Sequence, residues 1–492
     1  MTFIHSALQK LLRLPRRRPL FLFLIALILL FAAVMAYQTH KPLPPGLSLE
    51  GQLHRISDSD IEFLYDLTYQ GTGDGQGIGR TEQMIFERTL QAIGEARQFI
   101  VVDMFLYNGY YNRDQSFPPL SRKLTEKLIA QKTQYPELKI VVITDEINTS
   151  YGSHPSPELE LLKAAGITTV LTDVDPLRDS SPLYSAGWRI FGQWFGQAGH
   201  GWVPNPMADT APDMTVRSYA KLLNVKANHR KVIITERTLI VASANAHDAS
   251  FYNSNSGFLV KGAIVRDALV SEQAAVNMSA KLRLPAYSAT SEGSGEIGVR
   301  LLTEGMILKH VLLDLSEAGE GDTVWMGMFY LADRQVIREL LQAAARGADV
   351  RLILDPNENA FGNDKIGIPN RPVAAELLEK SEGRIQVRWY RTGSEQYHTK
   401  LLLIEHPDRM IIHNGSANLT TRNLADLNLE TNLQVVAPSE SRTAGQVRGY
   451  FTRLWNNQGG MFTLDYSAYK DERAWLKRVV YTVQRWLGFT TF

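Results

Sequence analysis

The chain carries the same short pattern twice, and that repetition limits its fold more than any other feature. His229-Arg-Lys231-Val-Ile-Ile-Thr-Glu236 is followed by Ser243-Ala-Asn245, and His398-Thr-Lys400-Leu-Leu-Leu-Ile-Glu405 is followed by Ser416-Ala-Asn418. The upstream segments match in the same order. A helical stretch from Thr81 to Arg97 precedes FIVVDMFLY (99–107), an amphipathic run from Leu120 and the buried-type strand KIVVITDE (139–146). VLLDLSEA precedes DTVWMGMFYLAD (322–333), a helix through Ala345 and DVRLILDPNEN (349–359). Each series ends in a short helix and strand before its His-x-Lys. Strands alternating with helices of this length predict α/β layers around a parallel or mixed sheet. The expected architecture is therefore two duplicated α/β lobes, joined face to face.

Composition shifts suggest the boundaries: a first lobe over 61–287, a Ser/Gly/Glu-rich linker over 288–298 and a second lobe over 299–466. The Gly-rich run 71–79 lacks the spacing of a dinucleotide loop and the Lys of a P-loop, and reads as a flexible connection. Residues 20–37, LFLFLIALILLFAAVMAY, contain no charge and are near the minimum length for a transmembrane helix. A basic tail over 1–19, with Lys10, Arg13, Arg16, Arg17 and Arg18, precedes it; the stretch after it, a linker over 38–60, opens with only Lys41. That asymmetry predicts a cytoplasmic N-terminus and lobes on the extracytoplasmic side, at the periplasmic face if the membrane is a bacterial inner membrane. A signal peptide cleaved after Val34-Met35-Ala36 is the competing reading.

In a strand, residues i and i+2 share a face, so His229 projects with Lys231 and His398 with Lys400. The chemistry that fits is phosphoryl-type transfer. One neutral imidazole attacks phosphorus and forms a phosphohistidine. A second, protonated at that moment, gives its proton to the leaving alkoxide and later removes one from water or an alcohol. Lysine and asparagine side chains stabilise the non-bridging oxygens where charge builds up. Two histidines in opposite protonation states explain why the pattern occurs twice. No His-x-x-x-His or carboxylate cluster accompanies either histidine, so a metal reading has no support in the motif. The absence of cysteine excludes disulfides, Cys-ligated zinc and a thiol nucleophile.

These motifs resemble those of the phospholipase D superfamily, which carries His-x-Lys-x4-Asp and then Gly-Ser-x-Asn, and within it the bacterial cardiolipin synthase branch. The resemblance covers roughly 61–466. It implies a two-lobed α/β fold whose histidines meet at a pseudo-twofold interface, and no cofactor. His229, Lys231, Asn245, His398, Lys400 and Asn418 are implied as functional positions, with Ser243 and Ser416 on the phosphate or in support. Glu236 and Glu405 stand where the family has Asp, and a scaffolding role is expected for both. The carboxylate that orients the histidine matches Glu430 in the second half, while the first half offers Asn255; cardiolipin synthases are similarly lopsided. On this basis Glu430 is expected to serve His398. The resemblance implies His229 as nucleophile, while a carboxylate beside His398 would equip it equally as nucleophile or as acid.

Two further segments point toward lipid. Trp188, Phe191, Trp194 and Phe195 recur at helical spacing between 182 and 207, reading either as a helix packed on the lobe or as an interfacial segment. Over 467–492, Trp475, Leu476, Val479, Val480, Val483, Trp486 and Leu487 form one face of a basic amphipathic helix, which reads as a lipid contact or as a cap on the second lobe. The expected substrate is a phospholipid in a membrane. A membrane-anchored nuclease of the same superfamily is the alternative; 52 Lys+Arg against 51 Asp+Glu counts against a nucleic acid partner. A non-catalytic binding protein is disfavoured by the two intact His/Lys pairs, and nothing in the sequence addresses oligomeric state.

Overall fold

The computed structural model describes residues 18–71, 79–197, 200–288, 294–360, 363–470 and 474–487. The basic residues Lys10, Arg13, Arg16 and Arg17, most of the Gly-rich 71–79 run and the middle of the expected 288–298 linker lie outside them. So do the side chains of Arg18, Trp475, Leu476, Trp486 and Leu487.

The first described element is α1 (Arg18–His40), the expected apolar helix. The first half then supplies β1 (His54–Ile56), β2 (Ile61–Tyr69), β3 (Arg80–Gln83), α2 (Ile85–Glu95), β4 (Phe99–Met104), α3 (Leu120–Gln134), β5 (Lys139–Asp145), β6 (Thr168–Thr172), α4 (Pro182–Gly187), β7 (Lys231–Thr235), β8 (Thr238–Ala242), β9 (Asn255–Lys261) and α5 (Ile264–Asn277). The second half supplies β10 (Ile297–Thr303), α6 (Gly305–Glu317), β11 (Thr323–Met328), α7 (Arg334–Ala345), β12 (Asp349–Leu354), α8 (Asn370–Lys380), β13 (Ile385–Tyr390), β14 (Lys400–Glu405), β15 (Arg409–Gly415), β16 (Thr431–Pro438), α9 (Arg442–Trp455), β17 (Thr463–Asp465) and α10 (Ala474–Leu487).

These strands form two mixed sheets, ordered β3-β2-β9-β8-β7-β4-β5-β6 and β1-β10-β16-β15-β14-β11-β12-β13-β17. From β2 and β10 onward the two orders correspond strand for strand. In each, a parallel trio built by helix crossovers (β4-β5-β6, β11-β12-β13) meets an antiparallel meander that carries the His-x-Lys strand, β7 or β14. β1 pairs with β10, so part of the 38–60 stretch expected as linker is the edge of the second sheet. The helix expected over Thr81–Arg97 starts only at Ile85, because Arg80–Gln83 pairs with the open edge of β2.

The alternation along the His-x-Lys strands explains the layering. Val232 and Ile234 of β7, with Leu401 and Leu403 of β14, face a core shared by both sheets. Ile233 faces the helices of its own lobe, and Leu402 and Ile404 do the same in the second lobe. The sheets therefore pack face to face between two outer helical layers. The last helix of each lobe contributes to the shared core, through Ile264 and Leu269 of α5 and Tyr450 and Phe451 of α9. At the C-terminus, α10 caps the second lobe. Tyr481 is buried and its hydroxyl donates to the Ala332 carbonyl at 3.0 Å, whereas Val479 and Val483 of the expected apolar face are exposed.

Candidate active site

Both His-x-Lys segments start at the seam between the lobes. There the backbone crosses over: Asn228 bridges to Leu429 and Tyr397 bridges to Ser254, both in parallel. His229 N–H donates to the Leu429 carbonyl at 2.9 Å, and Ser254 N–H to that of Gln396 at 2.9 Å. One residue further along, each crossing sets a histidine beside the orienting residue of the opposite lobe. Glu430 thus lies against His229, with Nδ1 at 3.0 Å from Oε1 and 3.1 Å from Oε2, and not against His398 as expected. His398 Nδ1 lies 3.2 Å from Asn255 Oδ1. The expectation failed because a sequence places each orienting residue in its own lobe, while the pseudo-twofold arrangement exchanges them.

An amide oxygen and a carboxylate only accept, so both Nδ1 atoms carry the proton and both Nε2 atoms remain for chemistry. The serines bond these partners, the supporting of the two roles expected for them. Ser243 Oγ donates to Asn255 Oδ1 at 3.1 Å, and Ser416 Oγ donates to Glu430. Asn423 Nδ2 also donates to Glu430, and Asn255 Nδ2 donates to the Asn253 carbonyl at 2.9 Å. Lys231 and Lys400 are held alike. Each ammonium donates to the carbonyl of its own motif's histidine at 2.8 Å, and they lie 4.9 and 5.2 Å from the ring centres of Phe105 and Phe329. The same rings lie 4.8 Å from His229 and 5.1 Å from His398. Asn245 Oδ1 accepts from Leu106 N–H at 3.4 Å, while Asn418 Oδ1 is buried without a partner among the described residues. Glu236 and Glu405 lie at the far strand ends. Glu236 receives Arg97 N–H at 2.7 Å and Glu405 pairs with Arg448 at 2.6 Å, so both brace the scaffold.

Burial dominates the electrostatics. It holds His229 and His398 well below the usual imidazole value, and the two lysines push in the same direction. Burial also brings Lys231 down to about 7 and Lys400 well below its ordinary value, while it raises Glu430 to about 7 against the pull of Lys231. Glu430 acts on both lysines, with Asp103 and Asp145 also acting on Lys231 and Asp355 on Lys400.

Six supporting residues were missed in the sequence. Asp145 Oδ2 accepts Asn228 N–H at 2.7 Å and Asp355 Oδ2 accepts Tyr397 N–H at 2.7 Å, so each fixes the residue preceding a histidine. Their signal was present, since KIVVITDE and DVRLILDP carry Asp at the matching next-to-last place. Phe105 and Phe329 likewise recur in MFLY and MFYL. Arg230, between His229 and Lys231, is wholly buried and pairs with Glu272 of α5 at 3.3 Å and Glu304 at 2.8 Å. Asp66, directly opposite Asn255 in the β2–β9 register, also bonds the Asn255 side chain, and burial raises its carboxyl to about 7.

Comparison with known proteins agrees with this frame. Residues 312–455 match the family described as cardiolipin synthase, PLD-like domain. No curated protein sequence matches the chain. Among solved structures, phosphatidylserine synthase from Haemophilus influenzae superposes with a TM-score of 0.56 at 11% identity, over 90% of this chain and 97% of that one. Polyphosphate kinase from Porphyromonas gingivalis gives a TM-score of 0.45 at 13% identity, over 86% of this chain and 53% of that one. Nuc, a phospholipase D family member from Salmonella typhimurium, gives 0.27 at 19% identity, over 34% of this chain and 98% of that one. Residues 312–455 thus carry a match to a cardiolipin synthase, PLD-like domain, and both lobes together share the fold of the phosphatidylserine synthase structure.

Proposed function

We propose that the protein is a phosphodiesterase or phosphatidyltransferase acting on glycerophospholipids through a phosphohistidine intermediate. The observation that carries this reading is the crossed pairing at the seam. It engages both Nδ1 atoms across the seam and leaves the two Nε2 atoms for chemistry, beside two buried and fixed lysines. A bound phosphodiester monoanion favours the ammonium form of both lysines.

His229 is the nucleophile in this scheme, because Glu430 stabilises the positive charge its imidazole acquires as Nε2 bonds to phosphorus. The bond from phosphorus to the leaving alkoxide breaks, and His398 Nε2 donates the proton that alkoxide takes up. An alcohol or water then gives its proton to His398 and attacks phosphorus, and the P–N bond breaks. His398 has only the neutral Asn255 behind it, so the bound phosphate anion is what makes its protonated form favourable. Lys231 and Lys400 stabilise the equatorial oxygens. The apolar α1 favours a lipid substrate, since its span Pro19–His40 has a mean hydropathy of 2.9 and its most apolar stretch is not buried by the rest of the protein.

The test incubates detergent-solubilised protein with labelled phosphatidylglycerol and, separately, with single-stranded DNA, alongside His229→Ala and His398→Ala. Phosphatidyl transfer or headgroup release by the parent protein alone is the expected result. Cleavage of DNA without turnover of lipid overturns the proposal.

A further inference from the structure

The aromatic segment that follows β6 does not form the single buried stripe its spacing suggests. After α4 comes a π-helical turn, Trp188–Gly192, and only Trp188 is buried. Phe191, Trp194, Phe195 and Trp202 are 55%, 76%, 69% and 72% exposed, and Leu183 is 60% exposed. Exposed large aromatics at this density mark a contact surface.

What lies beside them identifies the contact. α1 packs along α4: a methyl group added at Gly187 would lie 3.8 Å from the Phe31 ring. Leu27, Phe31, Met35 and Gln38 are half-buried at helical spacing against the body, and Asp179 N–H donates to the Gln38 carbonyl at 3.1 Å. Phe31 precedes the helix end at His40 by nine residues, about 13 Å at 1.5 Å per residue. With α1 spanning a hydrocarbon core about 30 Å thick, Gly187 lies at the depth of acyl chains.

The segment's polar groups suit that depth. Trp194 Nε1–H donates internally to the Ile190 carbonyl at 3.0 Å, and Gln193 Nε2 to the Arg189 carbonyl at 2.7 Å. The Arg189 guanidinium is engaged by Asp179 at 2.7 and 2.8 Å and by the Asp175 carbonyl at 3.0 Å. Asp179 in turn pairs with the buried Lys226 at 2.7 Å, three residues before His229. The segment is thus fastened to the lobe that carries His229.

We infer that residues 182–197 together with Trp202 insert into the leaflet on the catalytic side, as a second membrane contact beside α1 made by apolar side chains with lipid acyl chains. The inference rests on reading α1 as membrane-spanning and is independent of the substrate. Because the chain has no cysteine, single cysteines report depth directly in the full-length protein. Trp194→Cys, Phe195→Cys, Leu29→Cys and Leu313→Cys, all at exposed positions, are labelled with an environment-sensitive fluorophore. The protein is then reconstituted into phosphatidylcholine vesicles with and without phosphatidylglycerol. Acyl-chain nitroxides should quench the probes at 194 and 195 several-fold more than the probe at 313, in both vesicle types, while aqueous iodide shows the reverse order. Iodide access at 194 and 195 equal to that at 313 overturns the inference. Shielding that appears only with phosphatidylglycerol overturns it too, in favour of headgroup binding. The probe at 29 separates the causes: shielded, it leaves the anchor intact and only the second contact fails; exposed, both fail.

Discussion

Glu430 is the carboxylate that lies on His229, and the isosteric amide removes its charge. Glu430→Gln removes the charge and turns one of the two oxygens that accept from Ser416 and Asn423 into a donor, and should lower turnover on the order of a hundredfold, the equivalent of about 3 kcal/mol for a charge-assisted hydrogen bond. Rapid-quench trapping should show slower phosphoenzyme formation, whereas Asn255→Gln, behind the acid and base His398, should slow both its formation, where the leaving alkoxide takes a proton, and its breakdown, where water or an alcohol gives one. Identical effects of the two substitutions on both steps would contradict the assigned inequality. The pH profile tests the lysine. Lys231 is brought down to about 7 by burial, so its charge is present below that value and lost as pH rises through it. kcat/KM, which reports the free enzyme, should therefore fall above about pH 7. The limb of kcat should lie higher, because bound phosphate favours the ammonium. A kcat/KM that stays flat well into the alkaline range would refute the assignment. The histidines, lysines and asparagines were legible in the sequence because their types and spacing are local. The partner of Glu430 was not, because it depends on which strand ends meet across the seam.

Among the elements, β7 carries two functions at once through its alternation. One face presents Lys231; the other turns Arg230 inward to Glu272 of α5 and to Glu304, which joins β10 to α6. Glu304 also accepts the Glu430 N–H at 3.0 Å, so Arg230 braces the segment that orients His229. Removing one member of a buried ion cluster leaves its partners unpaired. Arg230→Met should thus cost about 3–5 kcal/mol of stability by denaturant unfolding, a far larger effect than Arg237→Met at an exposed turn. Comparable midpoints for the two variants would show that the cluster carries little energy. The strands themselves were legible from their aliphatic runs. The inward role of Arg230 was not, since a residue flanked by two functional positions reads as a surface spacer until the facing sheet is known. The short edge strand β1 was missed for a similar reason. Three residues carry no periodic signal, and they are ordered by pairing with β10 from the other half of the chain.

At the scale of the molecule, neither lobe contains both members of a histidine pair at the seam. His229 takes its carboxylate from the second lobe, and His398 takes its amide from the first. The core between the sheets is shared as well: Phe63, Phe258 and Val241 meet Leu433, Tyr450 and Phe451, and Arg453 of α9 reaches Glu82 of β3 at 2.6 Å. Duplication and face-to-face packing could be read from the ordered repeat, but not this exchange of partners, which only the seam between the lobes creates. It has a direct consequence for a divided chain. Either half expressed alone exposes the apolar face of its sheet and should aggregate or require detergent. Cutting the gene between residues 288 and 294 and co-expressing the halves should restore a single complex, because the buried face provides the association energy. The complementation can then be made diagnostic. A first half carrying His229→Ala, combined with a second half carrying Glu430→Gln, should be no less active than the His229→Ala complex alone, since both changes strike the same histidine. His398→Ala in the second half should abolish turnover with the unsubstituted first half. Activity from a single purified half, or full additivity of His229→Ala with Glu430→Gln, would mean that each lobe supports its own histidine and that the crossing at Asn228 and Leu429 has no catalytic role.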